Sequence, residues 1–171
     1  NWEATHAQWN DGANDGFVKE HEGSWPDSKE ECMGYHTGEH LPVLWSLADN
    51  YTLCDNWYAA LLGGTWCNRY YLHAATSNGG TSNVPAGIFP TIMSVCDDAD
   101  ISNRNYYDGL AAWRWGAFPV LGFSGTSGID SFFEKVEDGD LEEVVIIDPD
   151  FLSNDDHPSH NIELGQAFIA T

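Results

Sequence analysis

The segment LEEVVIID at 141–148 constrains the fold most. Its four consecutive β-branched residues, Val144 to Ile147, read as a buried strand running into Asp148. Helical spacing occurs on both sides of it. From Gly38 to Asn50, apolar residues recur at Leu41, Leu44, Trp45 and Leu47, with Pro42 suited to a first turn. FPTIMSVCD at 89–97, IDSFFEKV at 129–136 and IELGQAFIA at 162–170 read as further helices. Residues 51–60, 104–108 and 118–123 read as strands or extended segments, and LLGGTWCNRYYLHAAT as strand end, glycine turn and helix from Thr65. Residues 1–35 read as irregular chain with short helical turns, and 76–88 as a Ser/Thr/Asn/Gly/Pro loop. Helices alternating with apolar strands give the α/β class, with 1–171 read as one domain.

Charge narrows the functional classes. The chain carries 27 Asp and Glu against 6 Lys and Arg, a formal net charge of −21. No basic stripe is present to neutralise a nucleic-acid backbone, and an anionic membrane repels such a surface. Self-repulsion on this scale weakens a compact state at low salt. At about 1 M salt, where the Debye length is roughly 3 Å, most of it is screened. The composition therefore fits a halophilic protein, with an acidic protein from an ordinary source as the alternative. A calcium-binding reading lacks the spaced acidic loop it needs. No run is long enough to span a membrane. The opening NWEATHAQWN has no basic or apolar leader region and no initial Met, so the chain reads as processed, truncated or excerpted. Cys32, Cys54, Cys67 and Cys96 form no CxxC pair, which argues against a zinc ribbon and leaves disulfides or free thiols open.

Three constellations carry chemistry. In the first, Gly63 and Gly64 permit a tight turn before Thr65 at the start of a helix, where free N–H groups favour an anion. Asn68 and Arg69 lie one turn on, with donors suited to phosphate oxygens. A simple helix cap explains the same Gly-Gly-Thr turn, and Arg69 equally suits a structural ion pair. The second is Asn154 to His160, NDDHPSH, following a strand, where α/β sites tend to lie. Its Asp and His residues suit metal binding or proton transfer, and equally a polar loop capping the next helix. The third is GYHTGEH at 34–40, in which His36 is a pocket candidate. There Glu39 and His40 are better read as part of a helix start with Thr37 as its cap.

These constellations fall in one order that resembles the bacterial and plant non-haemolytic phospholipase C family, which also contains acid phosphatases. The resemblance rests on MGYH at 33–36, LPVLWSLADNYTLCDNWY at 41–58, GGTWCNRYYLHAATS at 63–77, FPTI at 89–92, IIDPDF at 146–151 and NDDHPSHNIELGQAFIA at 154–170. It implies an alkaline-phosphatase-like α/β sandwich, present in part, and hydrolysis of phosphate esters, a phospholipid headgroup among them, at a centre holding a divalent metal ion. It implies Thr65 as nucleophile and metal ligand, and His157 as acid for the leaving group. Gly64, Asn68, Arg69, His36 and Asp156 are implied as substrate-binding. The family's Gly-Pro-Thr-x-Pro-Asn-Arg departs here at Gly64 and Cys67. The motifs that supply the other metal ligands, an upstream Glu-Asn phrase and a downstream DEHGG-like phrase, do not occur in the chain, so those ligands are expected outside it. Family and composition together imply a secreted or cell-surface protein, with an oligomer left open. The rival reading is a non-catalytic assembly or binding protein on the same fold that has lost the metal site.

Overall fold

The structure, a computed structural model, describes residues 1–109 and 124–171. The extended segment expected at 118–123 lies outside the described residues. The chain forms two compact units, one of Asn1–Thr37 with Cys54–Val84 and the other of Gly38–Leu53 with Pro85–Thr171.

The first unit is helical. Helix α1, Trp2–Trp9, is capped by Asn1, whose side chain accepts from Ala4 N at 2.8 Å. Helix α2, Phe17–Ser24, packs against it. Gly16 makes this approach possible, since a Cβ there would sit 2.0 Å from the Ala7 carbonyl oxygen. Residues 1–35 are thus more helical than their irregular composition suggests. They contain two eight-residue helices and short 3₁₀ turns at Asn10–Gly12, Pro26–Ser28 and Glu31–Met33. The strand expected at 51–60 does not form, and Tyr51, Trp57 and Tyr58 are exposed there. An apolar run becomes a strand only where another strand takes its backbone bonds. Helix α4 is Thr65–Ala74, and Ala75 ends it in the left-handed conformation with its N–H on Tyr71 O.

Among the described residues, the second unit holds a three-stranded parallel sheet. Strand β1, Asn103–Tyr107, lies between β2, Thr126–Gly128, and β3, Val144–Asp148. Asn105 stands opposite both Thr126 and Ile146. The central strand reads NRNYY rather than the apolar run usual in parallel sheets. Its polar groups are satisfied internally: buried Asn105 donates to the buried Asp148 carboxylate at 3.0 Å and lies 3.3 Å from Ile146 O. Tyr106, fully buried, meets Phe132 edge-on at 5.4 Å. Its hydroxyl donates to Glu142 at 2.6 Å, and Lys135 and Arg104 reach the same carboxylate at 2.6 and 3.3 Å.

Helices flank the sheet. Helix α5, Ile92–Asp98, begins with a reciprocal cap between Thr91 and Ser94. Helix α6, Ile129–Asp138, packs on β1 and β2. Helix α7, Ile162–Ala170, packs on α3, Pro42–Asn50. Buried Gln166 of α7 accepts from Val43 N and Leu44 N, both at 3.1 Å, so it caps α3, which begins at Pro42 rather than at Gly38.

Candidate functional site

Thr65 is the first residue of α4, exposed, and follows the loop Leu61–Gly64. Gly64, in extended conformation, is the residue preceding the helix, so Thr65 is not itself the cap. Side chains from elsewhere in the unit hold the loop. Asn68 Oδ1 accepts from Leu61 N at 3.2 Å, and its Nδ2 donates to Leu61 O and Gly64 O, both at 3.2 Å. The Thr5 hydroxyl lies 2.9 Å from Leu62 O. Gly63 tucks below Trp2, where an added Cβ would lie 3.4 Å from the indole and 2.4 Å from Leu61 Cδ1.

This geometry changes the reading of Asn68. Its carbonyl oxygen and its amide nitrogen both bond the backbone of the loop, so the side chain braces the turn that precedes Thr65. Arg69 is half-buried on α4, and His36 is exposed beyond the 3₁₀ turn Glu31–Met33. Cys67 and Tyr70 are the fully buried residues of α4. All four cysteines are free thiols.

Asp156 and His157 belong to the second unit, in the loop after β3. That loop is tied to the end of β1, because Asn154 donates to Asp108 at 2.9 Å and accepts from Asp150 N at 2.7 Å. Asp156 takes a left-handed conformation, with φ at 57°. Its carboxylate lies against Gly165, where an added Cβ would sit 2.0 Å from Oδ1. His157 is exposed, with Nδ1 3.2 Å from Pro158 O.

The pair that the geometry brings together in this loop is a different one. Asp155 Oδ1 lies 2.5 Å from His160 Nδ1 and also accepts from His157 N at 3.2 Å. Burial pushes the Asp155 carboxyl up, but the His160 ring and the His157 N–H outweigh it and hold the carboxyl below its usual range. A carboxylate on Nδ1 fixes the Nδ1–H tautomer and leaves the Nε2 lone pair to accept a hydrogen bond or a proton. The sequence shows both residues in one acidic, His-containing loop. The turn that folds His160 N onto His157 O at 2.8 Å makes them partners. Among the described residues no group of three or more His, Cys, Asp or Glu side chains is arranged to hold a metal ion, so these residues do not by themselves fit one.

The phosphoesterase family model matches residues 1–171. The chain is 31% identical over 170 residues to non-specific phospholipase C1 of Arabidopsis thaliana, a match covering 90% of this chain and 32% of that protein. To non-specific phospholipase C4 of the same plant it is 32% identical over 169 residues, covering 90% of this chain and 31% of that protein. To phospholipase C B of Mycobacterium tuberculosis (strain ATCC 25618 / H37Rv) it is 29% identical over 202 residues, covering 98% of this chain and 38% of that protein. The chain thus spans about a third of the length of the curated relatives it matches.

Proposed function

The chain belongs to the phosphoesterase family, and from that premise we propose that the protein hydrolyses phosphate esters, a phospholipid headgroup bond among them, with Thr65 as nucleophile. The observation that carries this reading is the placement of Thr65. An exposed hydroxyl residue opens α4, directly after a glycine loop whose Leu61 and Gly64 carbonyls accept from Asn68. The backbone that carries this hydroxyl is thereby held in place, which limits where an attacking group can point.

In the proposed reaction, Thr65 Oγ1 gives up its proton to solvent and bonds to phosphorus as the ester P–O bond breaks, and the leaving oxygen departs protonated as the alcohol. The phosphorylated threonine is then released by water. His157, with Asp156 beside it in sequence, is assigned the proton for the leaving oxygen on the strength of its motif. Arg69 and His36 are assigned to the phosphoryl oxygens, together with the backbone at Gly64 and Thr65. Asn68 takes the role of brace. The fold proposed for the whole protein is the alkaline-phosphatase-like sandwich, of which the parallel sheet here would be part. A divalent metal ion belongs to this reading, with Thr65 as the ligand from this chain. The protein is placed outside the cell, in a salt-rich medium.

Thr65→Ala tests the reading in the full-length protein, with p-nitrophenyl phosphate and bis(p-nitrophenyl) phosphate as substrates in high salt. Turnover of both is expected to vanish with an unchanged circular dichroism spectrum. Retained turnover removes Thr65 from the reaction. The ratio of the two wild-type rates separates a monoesterase from a diesterase.

A further inference from the structure

The loop after α4 carries a second hold on Thr65, independent of Asn68. Three consecutive residues of this loop take bonds from the helix. The Cys67 thiol lies 3.5 Å from Ser82 O, Trp66 N donates to Asn83 Oδ1 at 3.0 Å, and the Tyr70 hydroxyl donates to Val84 O at 3.1 Å. Cys67 and Tyr70 are fully buried, so the strap is seated on the core of the unit and delivers Asn83 to a defined place. That place is the first turn of α4, where a backbone N–H has no partner within the helix.

Gly64 is the point of closest approach. A Cβ added there would lie 2.5 Å from Asn83 Oδ1. The backbone at Gly64, φ −70° and ψ 172°, is open to any residue. Space is what glycine supplies there, because a Cβ would have to displace the Asn83 amide.

We infer that Asn83 and Asn68 are positioning residues for Thr65. One amide pins the residue before it, through Asn68 Nδ2 on Gly64 O at 3.2 Å. The other pins the residue after it, through Trp66 N on Asn83 Oδ1 at 3.0 Å. With both flanking peptide units fixed, the Cα–Cβ bond of Thr65 points one way, and only its side-chain torsion stays free. The inference deepens the nucleophile reading and rests on it.

The test measures kcat and KM of the full-length protein on bis(p-nitrophenyl) phosphate and p-nitrophenyl phosphate, with Thr65→Ala alongside. Asn83→Ala and Asn68→Ala are each expected to lower kcat about 10- to 100-fold, the loss typical of a displaced reacting group, with KM within about two-fold. Asn83→Asp keeps the oxygen acceptor and restores kcat to within about three-fold of wild type. Gly64→Ala pushes Asn83 off Trp66 and reproduces the Asn83→Ala loss. The Gly64→Ala/Asn83→Ala double variant is then no slower than the slower single, as two changes breaking one contact must be. If Asn83→Ala does not fold, Asn83→Asp and Gly64→Ala carry the same comparison. Wild-type kcat in Asn83→Ala and Asn68→Ala, with Thr65→Ala inactive, overturns this inference alone. A raised KM at unchanged kcat also overturns it and puts the amides on the substrate. A fully active Thr65→Ala removes the nucleophile reading, and this inference with it.

Discussion

Glu142→Gln should destabilise the sheet unit, with a pH dependence that identifies charge as the cause. Burial pushes this carboxyl up, but Lys135, the Tyr106 hydroxyl and Arg104 more than offset it and bring it from 4.5 down to about 2. At about 1.4 kcal/mol per tenfold, that preference for the ionised form corresponds to roughly 3 kcal/mol. The Glu142 side chain is 7% exposed, but those of Lys135 and Arg104 are 32% and 33% exposed. Solvent screening of these partners brings the expected loss to about 2 kcal/mol at pH 7. The carboxyl is depressed in the folded state. Its contribution is therefore fully present above about 4.5 and is lost as pH falls through about 2. Glutamine keeps an acceptor for Tyr106, whose own hydroxyl is pushed up to about 12 by burial and then by the Glu142 carboxylate. Urea unfolding of wild type and variant, followed through hydrogen exchange of the β1 and β3 amides at pH 7 and pH 2, measures the difference. A gap of about 2 kcal/mol at pH 7 that narrows at pH 2 is expected. A gap below about 0.5 kcal/mol at pH 7, or one of equal size at both pH values, refutes the electrostatic account.

Two further outcomes follow from the structure. Gly165→Ala in α7 gains up to about 1 kcal/mol of helix propensity, but its Cβ would displace the Asp156 carboxylate, so stability stays within about 1 kcal/mol while KM rises; steady-state kinetics beside thermal melts checks both. With a net charge of −21, raising NaCl from about 0.1 M to about 1 M shortens the Debye length from about 10 to about 3 Å, and the melting temperature should climb by several degrees; a flat salt response would remove self-repulsion as a determinant of stability.

Much of the fold is legible in local pattern. Helices α3, α4, α5, α6 and α7 lie where apolar spacing, Pro42 and the Gly-Gly turn put them, and Val144–Ile147 forms the strand it resembles. Each of these signals is carried by neighbouring residues, so the chain expresses it before any distant contact forms. The phosphoesterase membership is legible for the same reason, since its motifs are short, ordered runs. Other features needed the tertiary structure. The aromatic run at 51–58 is free of strand structure, and among the described residues no strand takes its backbone bonds. The extended segment expected at 104–108 forms strand β1, but its place between β2 and β3, with Asn105 bonded to Asp148 43 residues away, is set by tertiary contacts. Asn68 turns back onto Leu61 and Gly64 although its place in the motif points to phosphate, and Asn83 reaches Trp66 across 17 residues. Sequence determines the family motifs and the local turn that presents Thr65. Which polar group meets which depends on loops closing over long separations. That choice is made by burial, where each donor and acceptor must find a partner or lose its hydration uncompensated.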